Sequence, residues 1–225
     1  MSRDTPVFVY NVLGAVSDGR NRRQWLRAMG AIGLAAAGLP TTAADPVDVV
    51  KILSFSCSFC RDSEVHDGAI ARAAAERGGR FVWAPVPTHP EDRFAAKERV
   101  YYAARDMNAR LGQAVKQSLY KGTQDQGQVL FDYMPIYAWL VGDIPQHARE
   151  LDTLIEKARG PESHAALQRA IRLAVNAGVD AVPAYVLLRG GRVVETIDRN
   201  HPRAPTLSAL RELVIESIDK HTQEK

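Results

Sequence analysis

The 225-residue chain has only two cysteines, Cys57 and Cys60. A disulfide framework is therefore excluded, and a zinc site would need further ligands. The six histidines (His66, His89, His147, His164, His201 and His221) show no ligand spacing that would supply them, so no metal is expected. No apolar run reaches the ~20 residues of a membrane span. There is no internal repeat and no low-complexity linker. Basic charge is also scarce where it would matter. The net charge is +3, and residues 1–44 alone carry five arginines against two acids, a surplus of three. The rest of the chain is neutral overall, which gives no support to a nucleic-acid partner. The remaining composition, 46% hydrophobic and 24% charged, is ordinary for a globular protein.

What the chain does have is Val47–Cys60, VDVVKILSFSCSFC. The apolar run Val47–Phe55 predicts a buried strand, with Lys51 marking a face that solvent can reach. A helix is predicted from Cys57 towards Ala75, kinked at Gly68 and ended by Gly78-Gly79. A C-x-x-C pair between a strand and a helix is a redox arrangement. The helix start favours a thiolate on Cys57. The i, i+3 spacing points Cys57 outward and Cys60 inward, so that Cys60 resolves the mixed disulfide. The competing readings are a structural disulfide, a metal site and inert thiols. A Cys57–Cys60 bridge closes too small a loop to stabilise much.

Residues 1–44 read as a targeting segment. Arg22-Arg23-Gln24-Trp25-Leu26 precedes the mildly apolar Ala28–Pro40, and Thr42-Ala43-Ala44 resembles a cleavage site. The order resembles a twin-arginine export signal. It implies a periplasmic protein, in a compartment where disulfides persist.

Beyond the cysteines, Phe81–Val86 predicts a second buried strand. From Pro90 to Ala177 there is no strand pattern. Helical periodicity covers Arg93–Leu119, Gln128–Val141, Pro145–Arg159 and a segment beginning at Pro161, with a polar break at Gly122–Gly127. Val182–Leu188, the turn Arg189-Gly190-Gly191 and Arg192–Thr196 read as a hairpin. Thr206 caps a last amphipathic helix bearing Leu207, Leu210, Leu213, Val214 and Ile218. The predicted class is α/β, a thioredoxin-like fold with an inserted helical domain at 90–177 in a unit spanning 45–225.

Three features together resemble the DsbA family of thiol:disulfide oxidoreductases. They are the strand leading into Cys57-Ser58-Phe59-Cys60, the segment Gly178-Val179-Asp180-Ala181-Val182-Pro183-Ala184-Tyr185-Val186, and the inserted helix at Ala95–Ala109. The resemblance spans residues 47–220. It implies catalysis by Cys57 and Cys60 without a cofactor, and a cis-proline at Pro183 opposite Cys57. Val182 beside it would then pair with a bound peptide by strand addition. It further implies cysteine-containing protein substrates, a membrane redox partner and a monomer. By the same resemblance some of the aromatic cluster Phe131, Tyr133, Met134, Tyr137 and Trp139 would line an apolar substrate groove, while core packing is expected for most of them, the usual use of aromatics at helical spacing. Ser58 and Phe59 depart from the family's common Cys-Pro-His-Cys, because Phe59 offers no charge to the thiolate. That departure implies a less oxidising pair. A reductase or isomerase, and a thioredoxin-fold binding or assembly protein of the cell envelope, are the alternatives.

Overall fold

The computed structural model describes residues 45–89, 91–92 and 94–223. The export segment expected at 1–44 lies outside them. Strand β1 (Val47–Leu53) leads to the short helix α1 (Ser58–Asp62), helix α2 (Glu64–Glu76) and strand β2 (Phe81–Pro85). The chain then runs through α3 (Ala96–Met107), α4 (Ala109–Tyr120), a π-helical turn (Lys121–Asp125) and α5 (Tyr133–Asp143). A 3-10 turn (Pro145–His147), α6 (Ala148–Arg159) and α7 (Pro161–Asn176) follow. Strands β3 (Ala184–Arg189) and β4 (Arg192–Asp198) and helix α8 (Leu207–Gln223) complete the described residues.

The four strands form one sheet in the order β2-β1-β3-β4. β2 runs parallel to β1, and β3 and β4 run antiparallel to their neighbours. This is the thioredoxin-like fold with a helical insertion between β2 and β3. Strand alternation splits the core. Val47 and Val49 of β1, with Tyr185 and Leu187 of β3, pack against Ile70 of α2 and Leu210, Leu213, Val214 and Ile218 of α8. Val50 and Ile52, with Ala184 and Val186, face the insertion, where Val100, Leu111, Leu140 and Leu154 are buried. Each fully buried aliphatic side chain contributes about 1.5–3 kcal/mol.

Several local expectations are corrected. β1 stops at Leu53, short of the predicted Phe55, because Ser54 leaves the ladder to hold the cysteine loop. Its N–H points at Cys60 Sγ (3.5 Å) and its carbonyl accepts the Cys57 N–H (3.2 Å). The helix after the cysteines breaks at Ser63, whose hydroxyl donates to the Cys60 carbonyl at 2.8 Å. Gly68 lies inside an unbroken α2. The single run predicted at 93–119 is two helices. Asn108 turns extended (φ −164°, ψ 154°), and its Oδ1 accepts the Leu111 N–H at 2.7 Å, capping α4. The break predicted at 122–127 continues α4 as the π turn. A Cβ at Gly122 would lie 2.8 Å from the Trp139 ring, so only glycine lets α5 approach there.

Lys51 is the largest correction. Its side chain is fully buried, not reached by solvent. Lys51 Nζ lies 2.6 Å from Asp67 Oδ1, and Trp83 Nε1 donates to Asp67 Oδ2 at 2.7 Å. A buried charge of this kind persists only when it is paired.

Candidate active site

The end of β1 delivers Cys57 as the residue that caps α1. Its backbone is extended (φ −102°, ψ 114°), and its sulfur accepts the Cys60 N–H at 3.2 Å. Cys60 lies one turn on and is fully buried, whereas Cys57 is partly exposed.

Electrostatics separate the pair. The hydrogen bond with the Cys60 thiol lowers the Cys57 pKa, helped by the Cys60 backbone N–H and by the charge of Arg199, and opposed by burial. Burial pushes the Cys60 thiol well up, and its bond to Cys57 pushes it further. One sulfur is therefore favoured as a thiolate and the other as a thiol.

Val182 and Pro183, remote in sequence, lie against this loop. The Cys57 thiol donates to the Val182 carbonyl at 3.4 Å, and the Val182–Pro183 peptide bond is cis. Proline carries no N–H. Ser58 and Phe59 are both on the surface, with Phe59 47% exposed.

Sequence reasoning missed two residues here. Gln124, in the π turn, donates through Nε2 to the Phe55 carbonyl (2.9 Å) and the Cys57 carbonyl (3.1 Å), tying the insertion to the cysteine loop. Arg199 ends the hairpin. Its backbone N–H donates to the Pro183 carbonyl at 3.1 Å, and its guanidinium lies 4.4 Å over the Phe59 ring. Neither has a local sequence signal, since each meets the site only through the folded chain. Two other nearby charges, Arg61 and Glu64, are paired. Arg61 bridges to Asp125, and Glu64 accepts from Lys116 and Gln117. Asp62 is exposed, and His66 is half-buried on α2.

A cleft beside the cysteine pair is lined by Ser58, Arg61, His89, Gln124, Asp125 and Phe131, among others. It is more polar than the apolar groove that the resemblance implied. Of the aromatic cluster, only Phe131 reaches the cleft, stacked on His89 with centroids 5.0 Å apart. Tyr133 is buried, Trp139 Nε1 donates to the Ser118 carbonyl at 2.9 Å, and Met134 is exposed. Among the described residues no group of three or more His, Cys, Asp or Glu side chains is placed to hold a metal ion.

No family model matches the chain, and no curated protein matches it. Solved structures do. DsbA from Xylella fastidiosa superposes with a TM-score of 0.62 at 17% identity, covering 81% of this chain and 89% of that one. A variant of Pseudomonas aeruginosa DsbA gives 0.63 at 14% identity, covering 87% and 94%. Proteus mirabilis DsbA, solved with a non-covalently bound peptide PWATCDS, gives 0.58 at 14% identity, covering 80% and 90%. The fold is that of the DsbA oxidoreductases. At these identities the likeness concerns the backbone alone.

Proposed function

We propose that this chain is a thiol:disulfide oxidoreductase that uses Cys57 and Cys60 to oxidise cysteine-containing proteins. One observation carries the reading. A partly exposed sulfur with a lowered pKa stands 3.4 Å from the Val182 carbonyl, with a buried sulfur of raised pKa one turn behind it.

In the oxidised enzyme a substrate thiolate attacks Cys57 Sγ. The Cys57–Cys60 bond breaks, and Cys60 departs and takes up a proton, as its raised pKa favours. A second substrate thiolate then attacks the substrate sulfur of the mixed disulfide and releases Cys57 as a thiolate. The substrate dithiol loses two electrons and the enzyme pair gains them. The stabilised Cys57 thiolate makes it a good leaving group in the last step and makes the disulfide the stronger oxidant. An extended peptide running beside Val182 presents its cysteine to Cys57 through main-chain hydrogen bonds, with loose sequence preference. The cysteine-containing peptide bound by Proteus mirabilis DsbA supports that substrate class.

The setting belongs to the same proposal. Residues 1–44 direct the chain to the periplasm by the twin-arginine route, where it works as a monomer and a membrane partner reoxidises it. A reporter fused to residues 1–44 should fail to leave the cytoplasm in a strain lacking the twin-arginine translocase.

The deciding experiment is a trap. Cys60→Ala should accumulate mixed disulfides with client proteins through Cys57, and Cys57→Ser should form none. If Cys60→Ala traps nothing, the chain is a binding or assembly protein. The reduction potential of the pair fixes the direction, since a value near thioredoxin's about −270 mV makes it a reductase.

A further inference from the structure

The peptide between the cysteines carries no charge of its own, yet a cation stands over it. Arg199 Cζ is 4.4 Å from the centroid of Phe59, and no carboxylate among the described residues pairs with that guanidinium. Both ends of Arg199 are anchored at the site. Its backbone N–H bonds the Pro183 carbonyl at 3.1 Å, and the neighbouring Val182 carbonyl accepts from Cys57 at 3.4 Å. A guanidinium laid on an aromatic face gains from the ring quadrupole and keeps its charge in place.

We infer that Arg199 is a positioning residue of the thiol chemistry: the Phe59 ring fixes its guanidinium at the mouth of the site, where its charge stabilises the Cys57 thiolate. The inference rests on the proposed redox role of Cys57. The stabilising charge comes from the far end of the hairpin, and the residue between the cysteines supplies only the platform. The other charges around Cys57 do not compete. Lys51 and Asp67 neutralise each other beneath Cys60, Arg61 is held by Asp125, and Glu64 is held by Lys116. Asp62 points to solvent from the end of α1, and Asp198 Oδ1 accepts the Asn200 N–H at 2.9 Å. Tyr120 lies buried near both sulfurs, with a hydroxyl that burial keeps protonated. The direction of the Cys57 shift, to which Arg199 contributes, agrees with the geometry.

The test titrates Cys57 in the full chain by its rate of alkylation against pH, alongside redox equilibrium with glutathione. Arg199→Gln should raise the titration midpoint by about one unit, a tenfold loss of thiolate at pH values below the midpoint. It should also make the disulfide about tenfold less oxidising, about 30 mV. Arg199→Lys should recover part of the shift, because it restores charge but not the planar stack. Phe59→Leu, which keeps Arg199 but removes its platform, should move the midpoint in the same direction by less. Loss of a purely structural contact would lower the melting temperature and leave the midpoint in place. Midpoints in Arg199→Gln and Phe59→Leu equal to the parent's overturn the inference, as does a parent midpoint at the ordinary cysteine value. A parent that holds a low-midpoint thiolate but exchanges with no dithiol refutes the proposed function, while the variants still decide the role of Arg199.

Discussion

The two sides of the sheet bury charge in opposite ways. On the α2 side, beneath the cysteines, Lys51 and Asp67 are paired at 2.6 Å and the second oxygen of Asp67 takes the Trp83 N–H. Both carboxylate oxygens of Asp67 have a partner. On the insertion side Lys97 and Asp92 are also paired at 2.6 Å, but Asp92 Oδ1 and both oxygens of Glu98 have no hydrogen-bond partner among the described residues. Burial, followed by the charge of Asp92, pushes the Glu98 pKa up to about 8. One side keeps its ions by matching them, and the other keeps a carboxyl by leaving it protonated. A low-dielectric interior allows both solutions but penalises an unmatched ion heavily.

The sharpest way to break this contrast is to unpair the matched side. Lys51→Met leaves Asp67 buried without its cation and should cost about 3–5 kcal/mol in urea unfolding. The double variant Lys51→Met/Asp67→Leu should recover most of that loss. If the single variant unfolds at the parent's midpoint, the pair is not the matched ion pair described.

Glu98 should behave in the reverse sense. Its folded pKa lies above the ordinary 4.5, so the folded state holds the extra proton and stability falls as pH rises from 4.5 to about 8. Glu98→Gln should abolish that fall. The variant should match the parent in acid and exceed it by ~5 kcal/mol above pH 8. Parallel pH–stability curves for the two proteins would show that Glu98 is ionised in the folded state.

Two smaller effects test the insertion's uncharged attachments. Gln124→Ala removes both bonds to the cysteine loop and should cost about 1–2 kcal/mol. It should also speed hydrogen exchange at the Cys57 loop. Asn108→Ala removes the α4 cap and should cost about 1 kcal/mol while leaving thiol exchange unchanged. A change in exchange rate from Asn108→Ala would mean that the insertion helices tune the site as a body, beyond the contact made by Gln124.

Much of the fold was legible in the sequence because its signals are local. The apolar strand runs, the Arg189-Gly190-Gly191 turn and the Thr206 cap each depend on neighbours in the chain, and the Thr206 hydroxyl accepts the Ala209 N–H as expected (3.1 Å). The Asn108 break was also signalled, since asparagine favours a helix cap, but the apolar spacing across it masked the stop. The split at Ser63 was less visible. A serine bonding back to a carbonyl competes with the helix only where the next turn is already constrained. Lys51 was misread because a lysine in a strand usually marks a solvated face, and its partner sits on another element.

The cysteine pair and its place at a strand end were legible in the sequence alone, because spacing along a strand and a helix start sets which sulfur is exposed, while the Val182–Pro183 segment was legible only as a family resemblance. Only the tertiary structure decided what surrounds them. Ion pairing beneath Cys60, the Gln124 bonds and the Arg199 guanidinium over Phe59 join residues far apart in the chain. Coulombic and hydrogen-bond energies depend on distances through space, and those distances exist only once the sheet, the insertion and the hairpin have packed together.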